Sequence, residues 1–207
     1  IIETVVDTKT YVDNHIPVNV VFKDDLYYVT PEMFGAVGNE TTDDTTAITN
    51  CFAYAASHRI DIRGKGVYRV SQPISLTADR LNVDLFQLSS WTSFEGYLLT
   101  INGSRNNISF DTLQSTHSKG LRITNSANKE SRNNRINIGY LLADGDGLTI
   151  AGSAANYISY NTFNINRIKS TSGNCIVNGD YATENQFYNT QLEGESGWGV
   201  YGTGSGK

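Results

Sequence analysis

The chain has 207 residues, 39% of them hydrophobic, which is enough for one domain with a sizeable core. Its formal net charge of −5 argues against a nucleic-acid surface, which needs clustered Lys and Arg, and it has no apolar run of membrane-spanning length, so neither nucleic-acid binding nor membrane insertion is expected. Twenty-one asparagines and nineteen glycines against three prolines describe a turn-rich, strand-rich chain rather than a helical one.

Near the N-terminus, Ile2, Val5, Lys9 and Val12 fall at a and d positions of a short helix over Ile1 to Asn14, too short to establish a coiled coil. Val18, Val20 and Phe22 then alternate as a strand. Residues 1–30 are read as a neck or a linker.

Residues 31–58 hold the densest helix signals. Thr42, Asp43 and Asp44 are N-cap types, and Ile48, Cys51, Phe52 and Ala55 follow at i, i+3, i+4 and i+7, placing one apolar stripe on a short helix. Gly35 and Gly38 mark a tight turn that feeds this cap.

Beyond the helix, Ile60 and Ile62 alternate, Gly64 and Gly66 read as a turn, and Tyr68/Val70 and Ile74/Leu76 alternate again. From Leu81 an explicit repeat sets in, which decides the fold. The apolar pairs Val83/Leu85, Ile108/Phe110, Ile136/Ile138 and Phe163/Ile165 recur and Phe187 begins another, at intervals of 25, 28, 27 and 24 residues. Each is followed at constant offset by Leu88, Leu113, Leu141, Ile168 or Leu192, and a second strand arrives as Leu99/Ile101, Leu121/Ile123, Leu148/Ile150 and Cys175/Val177. Asn106, Asn134, Asn161 and Asn185 stand two residues before each first inward position, where stacked amides can bond along the axis. The pattern predicts an all-β solenoid over 59–207, capped by the helix and unfinished at its C-terminal end. With no residue before Ile1 to serve as initiator and its single Met at 33, the chain reads as an internal piece of a longer one.

The residues Phe34-Gly35-Ala36, Gly38, Asp43-Asp44-Thr45 and Ala47-Ile48, with Gly66-Val67-Tyr68-Arg69-Val70 further on, resemble the N-terminal signature of the pectate-lyase-like right-handed parallel β-helix proteins found in bacteriophage tailspikes and tail-associated polysaccharide depolymerases. Gly38-Asn39-Glu40 departs from the Gly-Asp-Gly usual there. The resemblance implies a right-handed parallel β-helix whose open end the helix covers. It also implies a homotrimeric phage tail component in the virion, joined to other tail or baseplate proteins through its N-terminal side. Its partner would be bacterial surface polysaccharide, capsule or lipopolysaccharide, which it binds and depolymerises.

In a solenoid of packed side chains, chemistry must sit on outward positions or in turns. The turns after the Leu88 column carry Asp144 and Asp146 in one coil and Glu193 and Glu195 two coils later. Asp144 and Glu195 share one offset, about 10 Å apart along the stack, within reach of the carboxyl separation of inverting glycosidases. These four are the candidate catalytic acids of a glycoside hydrolase or polysaccharide lyase; solvated turn acids are the plain alternative. Tyr188, Trp198 and Tyr201 are the candidate glycan-stacking aromatics, unless a following coil covers them. A binding module without turnover is the second reading. A secreted bacterial lyase is a third, disfavoured because no basic patch is visible to hold an acidic polymer. Arg167-Ile168-Lys169 matches a polygalacturonase tripeptide, but Ile168 belongs to the core column by itself. Cys51 and Cys175 read as buried thiols. No residue cluster has metal spacing, no glycine-rich phosphate loop follows a strand, and His15, His58 and His117 are too scattered for a triad, so no metal or cofactor is expected.

Overall fold

The computed structural model describes residues 28–125, 130–154, 156–188 and 190–202. The helix expected over Ile1 to Asn14, the strand of Val18, Val20 and Phe22, and most of the neck lie outside the described residues.

Inward columns at matched offsets can be buried only by stacking one coil on the next, and that is how the strands pair. The first sheet runs β1 (Tyr28–Val29), β3 (Asp61–Arg69), β5 (Asn82–Ser90), β7 (Asn107–Ser115), β10 (Arg135–Ala143), β13 (Thr162–Ser170) and β16 (Gln186–Tyr188), with β2 (Asn39–Asp43) on β3 and β17 (Gln191–Gly194) on β13. The second is β4 (Ile74–Thr77), β6 (Tyr97–Asn102), β8 (Lys119–Thr124), β11 (Leu148–Ile150), β14 (Ile176–Asn178) and β18 (Val200–Gly202). The third stacks the two-residue strands β9 (Ser131–Arg132), β12 (Ile158–Ser159) and β15 (Ala182–Thr183). All these pairings are parallel and the chain visits the sheets in turn, so the molecule is a parallel β-helix.

The register matches the repeat. Val83, Ile108, Ile136, Phe163 and Phe187 are paired in one column, and Leu88, Leu113, Leu141, Ile168 and Leu192 in another. In the nine-residue strands the alternation slips once: Asp111 and Thr112 both face out between buried Phe110 and buried Leu113. This extra outward residue bends each long strand at the same place and lets one strand serve two walls of the core. The strand then closes on Ser90, Ser115, Ala143 and Ser170, all buried and small, which lets the chain turn sharply.

Asn106, Asn134 and Asn161 are buried and form the ladder that their spacing predicts. Asn134 Oδ1 accepts both the backbone N–H (2.9 Å) and the amide N–H (3.1 Å) of Asn106, and Asn161 Oδ1 does the same for Asn134 (2.9 and 2.9 Å). Asn185 Oδ1 continues the series to Asn161. Each amide also donates into the turn, Asn106 to Ala78 O and Asn134 to Gly103 O, so the corner backbone is satisfied by side chains where no strand can reach it.

The cap helix α1 (Thr45–His58) buries Ala47, Ile48, Cys51, Phe52 and Ala55, the predicted stripe. The side chain of its N-cap, Asp44, makes no bond to the first helical turn, although the Asp44 carbonyl accepts the Ile48 N–H at 2.9 Å. Its buried carboxylate reaches back and accepts the Val37 N–H at 2.7 Å and the Gly38 N–H at 3.1 Å, tying the turn to the helix. Asp43 does the conventional capping: it accepts the Thr45 N–H at 3.0 Å, with the Thr45 and Ser71 hydroxyls at 2.5 Å each. Glu40 adopts φ 67° in the place where the related signature has glycine.

Two expectations are corrected. Gly64 and Gly66 make no turn; they lie inside β3, because the buried Tyr68 side chain crosses that strand and leaves no room for a Cβ. A Cβ at Gly64 would stand 2.2 Å from Tyr68 Oη, and one at Gly66 2.9 Å from Gly38 Cα. In the fifth coil, Ile176 and Asn178 occupy the second-sheet register assigned to Cys175 and Val177. Cys175 takes the corner instead, and its carbonyl accepts the Leu148 N–H. The third sheet has no counterpart in the sequence pattern, because strands of two residues carry no periodicity.

Candidate functional site

The four candidate acids do not form one site. Asp146 lies in the turn after β10, where it accepts Lys119 Nζ at 2.8 Å and both the backbone N–H (3.1 Å) and amide (3.2 Å) of Asn174. Burial pushes the Asp146 carboxyl up, yet the Lys119 ammonium and Asn174 hold it below the usual carboxylate range, while Asp146 holds Lys119 above its own. Asp144 accepts the Thr171 hydroxyl at 2.6 Å, so the coil between it and Glu195 is already bonded to it. Glu193 pairs with Arg167 at 2.5 Å and Glu195 with Lys169 at 2.7 Å on the outer face of the first sheet. The guanidinium of Arg167 holds Glu193 down, and Glu195 holds Lys169 up.

A general acid at neutral pH needs a raised pKa. Asp146 and Glu193 are shifted the other way, by cations that lock them as structural anions.

The Asp146 shift carries a sign that can be tested. A depressed folded-state pKa contributes stability above the unfolded value near 3.8 and loses it as pH falls through the folded value. Asp146→Asn is therefore expected to lower Tm near neutral pH, with the gap to the parent protein closing below about pH 4. Thermal melts of both proteins from pH 2.5 to 7 check this; a gap independent of pH assigns the effect to packing instead.

The three candidate aromatics also separate. Tyr188 pairs with Asn164 in the first sheet, Tyr201 with Val177 in the second, and Trp198 sits in the corner between them, 71% exposed, with its backbone N–H donated to Asn174 Oδ1. They share the last described coil but not one face.

What the winding does assemble is a groove of about 480 Å³ along the bend of the long strands, spanning β3 to β13. Asp84, Ser109, Asn137 and Asn164 line one side as an in-register outward column. Phe86, Asp111, Gly139 and Asn166 line the bend itself, the extra outward position of each coil. Phe86 is 45% exposed in spite of its size. Gly139 is required here by close approach: a Cβ would stand 2.6 Å from the Asp111 carbonyl. These residues escaped the sequence reading because they occupy outward positions, which no hydrophobic pattern marks. The available signal was the doubled outward pair between the second and third core columns.

A second gathering overturns the expectation that no basic patch exists. Arg59, Arg80 and Arg105, 21 and 25 residues apart, come together at one corner with Arg132 around a pocket of about 380 Å³. Net charge hid it, because acids elsewhere outweigh it.

No family model matches this chain, and no curated protein matches it. Among solved structures it is similar to the Dettilon tailspike protein, with a TM-score of 0.53 and 14% identity over 82% of this chain. The fold is that of a tailspike β-helix. The chain spans 38% of that tailspike's length. The ORF18 protein of Geobacillus virus E2 is a looser neighbour, at 12% identity over 86% of this chain and 60% of its own, with a TM-score of 0.39. Among the described residues no group of three or more His, Cys, Asp or Glu is placed to hold a metal, and no helix is long and apolar enough to cross a membrane.

Proposed function

We propose that the chain is part of a phage tailspike-type protein that holds bacterial surface polysaccharide, capsule or lipopolysaccharide, along the outer face of its β-helix. The observation that carries this reading is the groove at the strand bend. Amides and hydroxyls repeat there coil after coil at the strand spacing of about 4.8 Å, Phe86 offers an apolar face for a sugar ring, and the solenoid beneath keeps the array rigid. Attachment through a homotrimer that joins other tail or baseplate proteins belongs to the same proposal.

Holding is favoured over cleavage at the four acids first considered, since Asp146, Glu193 and Glu195 are each bonded to a cation. Cleavage is the second reading, favoured by Asp84 and Asp111, which line the same groove from neighbouring coils. Paired acids flanking a bond are what glycoside hydrolysis requires.

Equilibrium binding to a panel of labelled capsules and lipopolysaccharides tests the proposal. Phe86→Ala is expected to weaken retention of the bound glycan about tenfold, the effect of truncating an interface anchor worth about 1.4 kcal/mol. Failure to retain any polysaccharide, or retention indifferent to both Phe86→Ala and Asn137→Ala, overturns it. Release of reducing ends by the parent protein, lost in Asp84→Asn and Asp111→Asn, would establish the second reading.

A further inference from the structure

The arginine corner has a conformational oddity. Arg59, Arg80 and Arg105 all adopt left-handed backbone, with φ of 55°, 63° and 62°, and later coils continue the column with Asn133, Tyr160 and Glu184 at 54–56°. Left-handed backbone is strained for an L-residue, which is why Gly, Asn and Asp usually fill such turns. Three successive coils place arginine there instead. The corner imposes this backbone whatever residue fills it, so three successive arginines are a choice of side chain at a position that would accept glycine.

The backbone fixes the stack. The Arg80 N–H donates to Ser104 O at 3.0 Å and the Arg105 N–H to Arg132 O at 2.9 Å, so successive arginines rise by one coil each. Their side chains are exposed. Among the described residues only Arg132 of the four is ion-paired, to Glu130 at 2.8 Å. The pocket's other acid, Asp79, accepts the Ser104 N–H at 2.7 Å. Three arginines with no carboxylate partner among the described residues, their backbones about 4.8 Å apart per coil, therefore line one pocket on a protein whose net charge is −5.

We propose that this pocket binds an anionic group, carboxylate or phosphate, borne by the polysaccharide; the glycan half of this statement rests on the function proposed above, the anion half does not. Guanidinium groups match both anions through paired N–H donors. A row of them one coil apart selects a polymer that repeats its charge over an isolated ion.

The left-handed backbone supplies the test. Arg80→Gly and Arg105→Gly remove the charge while relieving the backbone, so neither is expected to lower Tm. Each is expected to weaken binding of polygalacturonate at least about tenfold, through loss of one charge-assisted contact. Carboxyl-reduced polygalacturonate should bind the parent protein and both variants alike. Lipooligosaccharide compared with its dephosphorylated form separates a phosphate preference from a carboxylate one.

Equal binding of the parent and both variants to both charged polymers overturns the pocket, whatever the groove holds. Loss of polygalacturonate binding in the variants while no capsule or lipopolysaccharide is retained keeps the anion site and overturns the glycan function. Displacement of polygalacturonate by duplex DNA at equal charge concentration overturns the assignment to a glycan.

Discussion

Asn134→Ala is expected to lower the unfolding free energy by about 3–5 kcal/mol, read as a large fall in the urea midpoint. The side chain is buried and does several things at once. Its Oδ1 accepts two N–H groups of Asn106, and its amide donates to Gly103 O and to Asn161 Oδ1. Truncation strands donors and acceptors in the coils on either side, each buried unsatisfied group costing about 1–3 kcal/mol before any local relaxation. Asn134→Asp keeps the acceptor but buries a carboxylate without a cation, so it should be at least as damaging. Asn137→Ala, three residues on and facing outward from β10, which begins just after Asn134, is the control and should stay within about 0.5 kcal/mol. A loss below 1 kcal/mol for Asn134→Ala would show that the ladder follows the fold rather than sustaining it.

That ladder was legible because its physics leaves a mark in sequence: an amide that must bond the equivalent amide one coil away has to recur at the coil period. The core columns were legible for the same reason, and their pairing follows the predicted register with one slip, at Ile176. The slip arose where Cys175, Ile176 and Val177 offered three apolar residues in a row, so alternation could not fix the phase. Gly64 and Gly66 misled because glycine signals a turn and a close approach equally well, and only the position of the Tyr68 ring decides between them.

The candidate site was much less legible. Outward residues answer to no periodic constraint, and the offset shared by Asp144 and Glu195 said nothing of the Thr171 hydroxyl bonded to Asp144 or of the Lys169 ammonium paired with Glu195. Charge count likewise averaged away a corner where four arginines from distant stretches meet. Such gatherings are set by three-dimensional winding, and composition carries no trace of them.

Asp44→Ala tests how the cap is held. The buried carboxylate accepts the Val37 and Gly38 N–H groups and thereby pins the turn against α1. Hydrogen bonds to a charged acceptor contribute about 1.5–3 kcal/mol each, so their removal is expected to destabilise the cap by about 3 kcal/mol or more. In a solenoid each coil contacts only its neighbours, so the loss should appear as opening of the cap rather than uniform weakening of all coils. The two cysteines report this separately. Cys51 is buried on α1, its thiol pushed up to about 12 by burial and by the charge of Glu32, while Cys175 is buried four coils away. Both should resist a thiol reagent in the parent protein. In Asp44→Ala, Cys51 should react many times faster while Cys175 stays protected, and Asp44→Asn, which keeps one acceptor, should fall between. Equal acceleration at both thiols would mean that cap and coils unfold as one cooperative unit, with Asp44 supporting the whole solenoid.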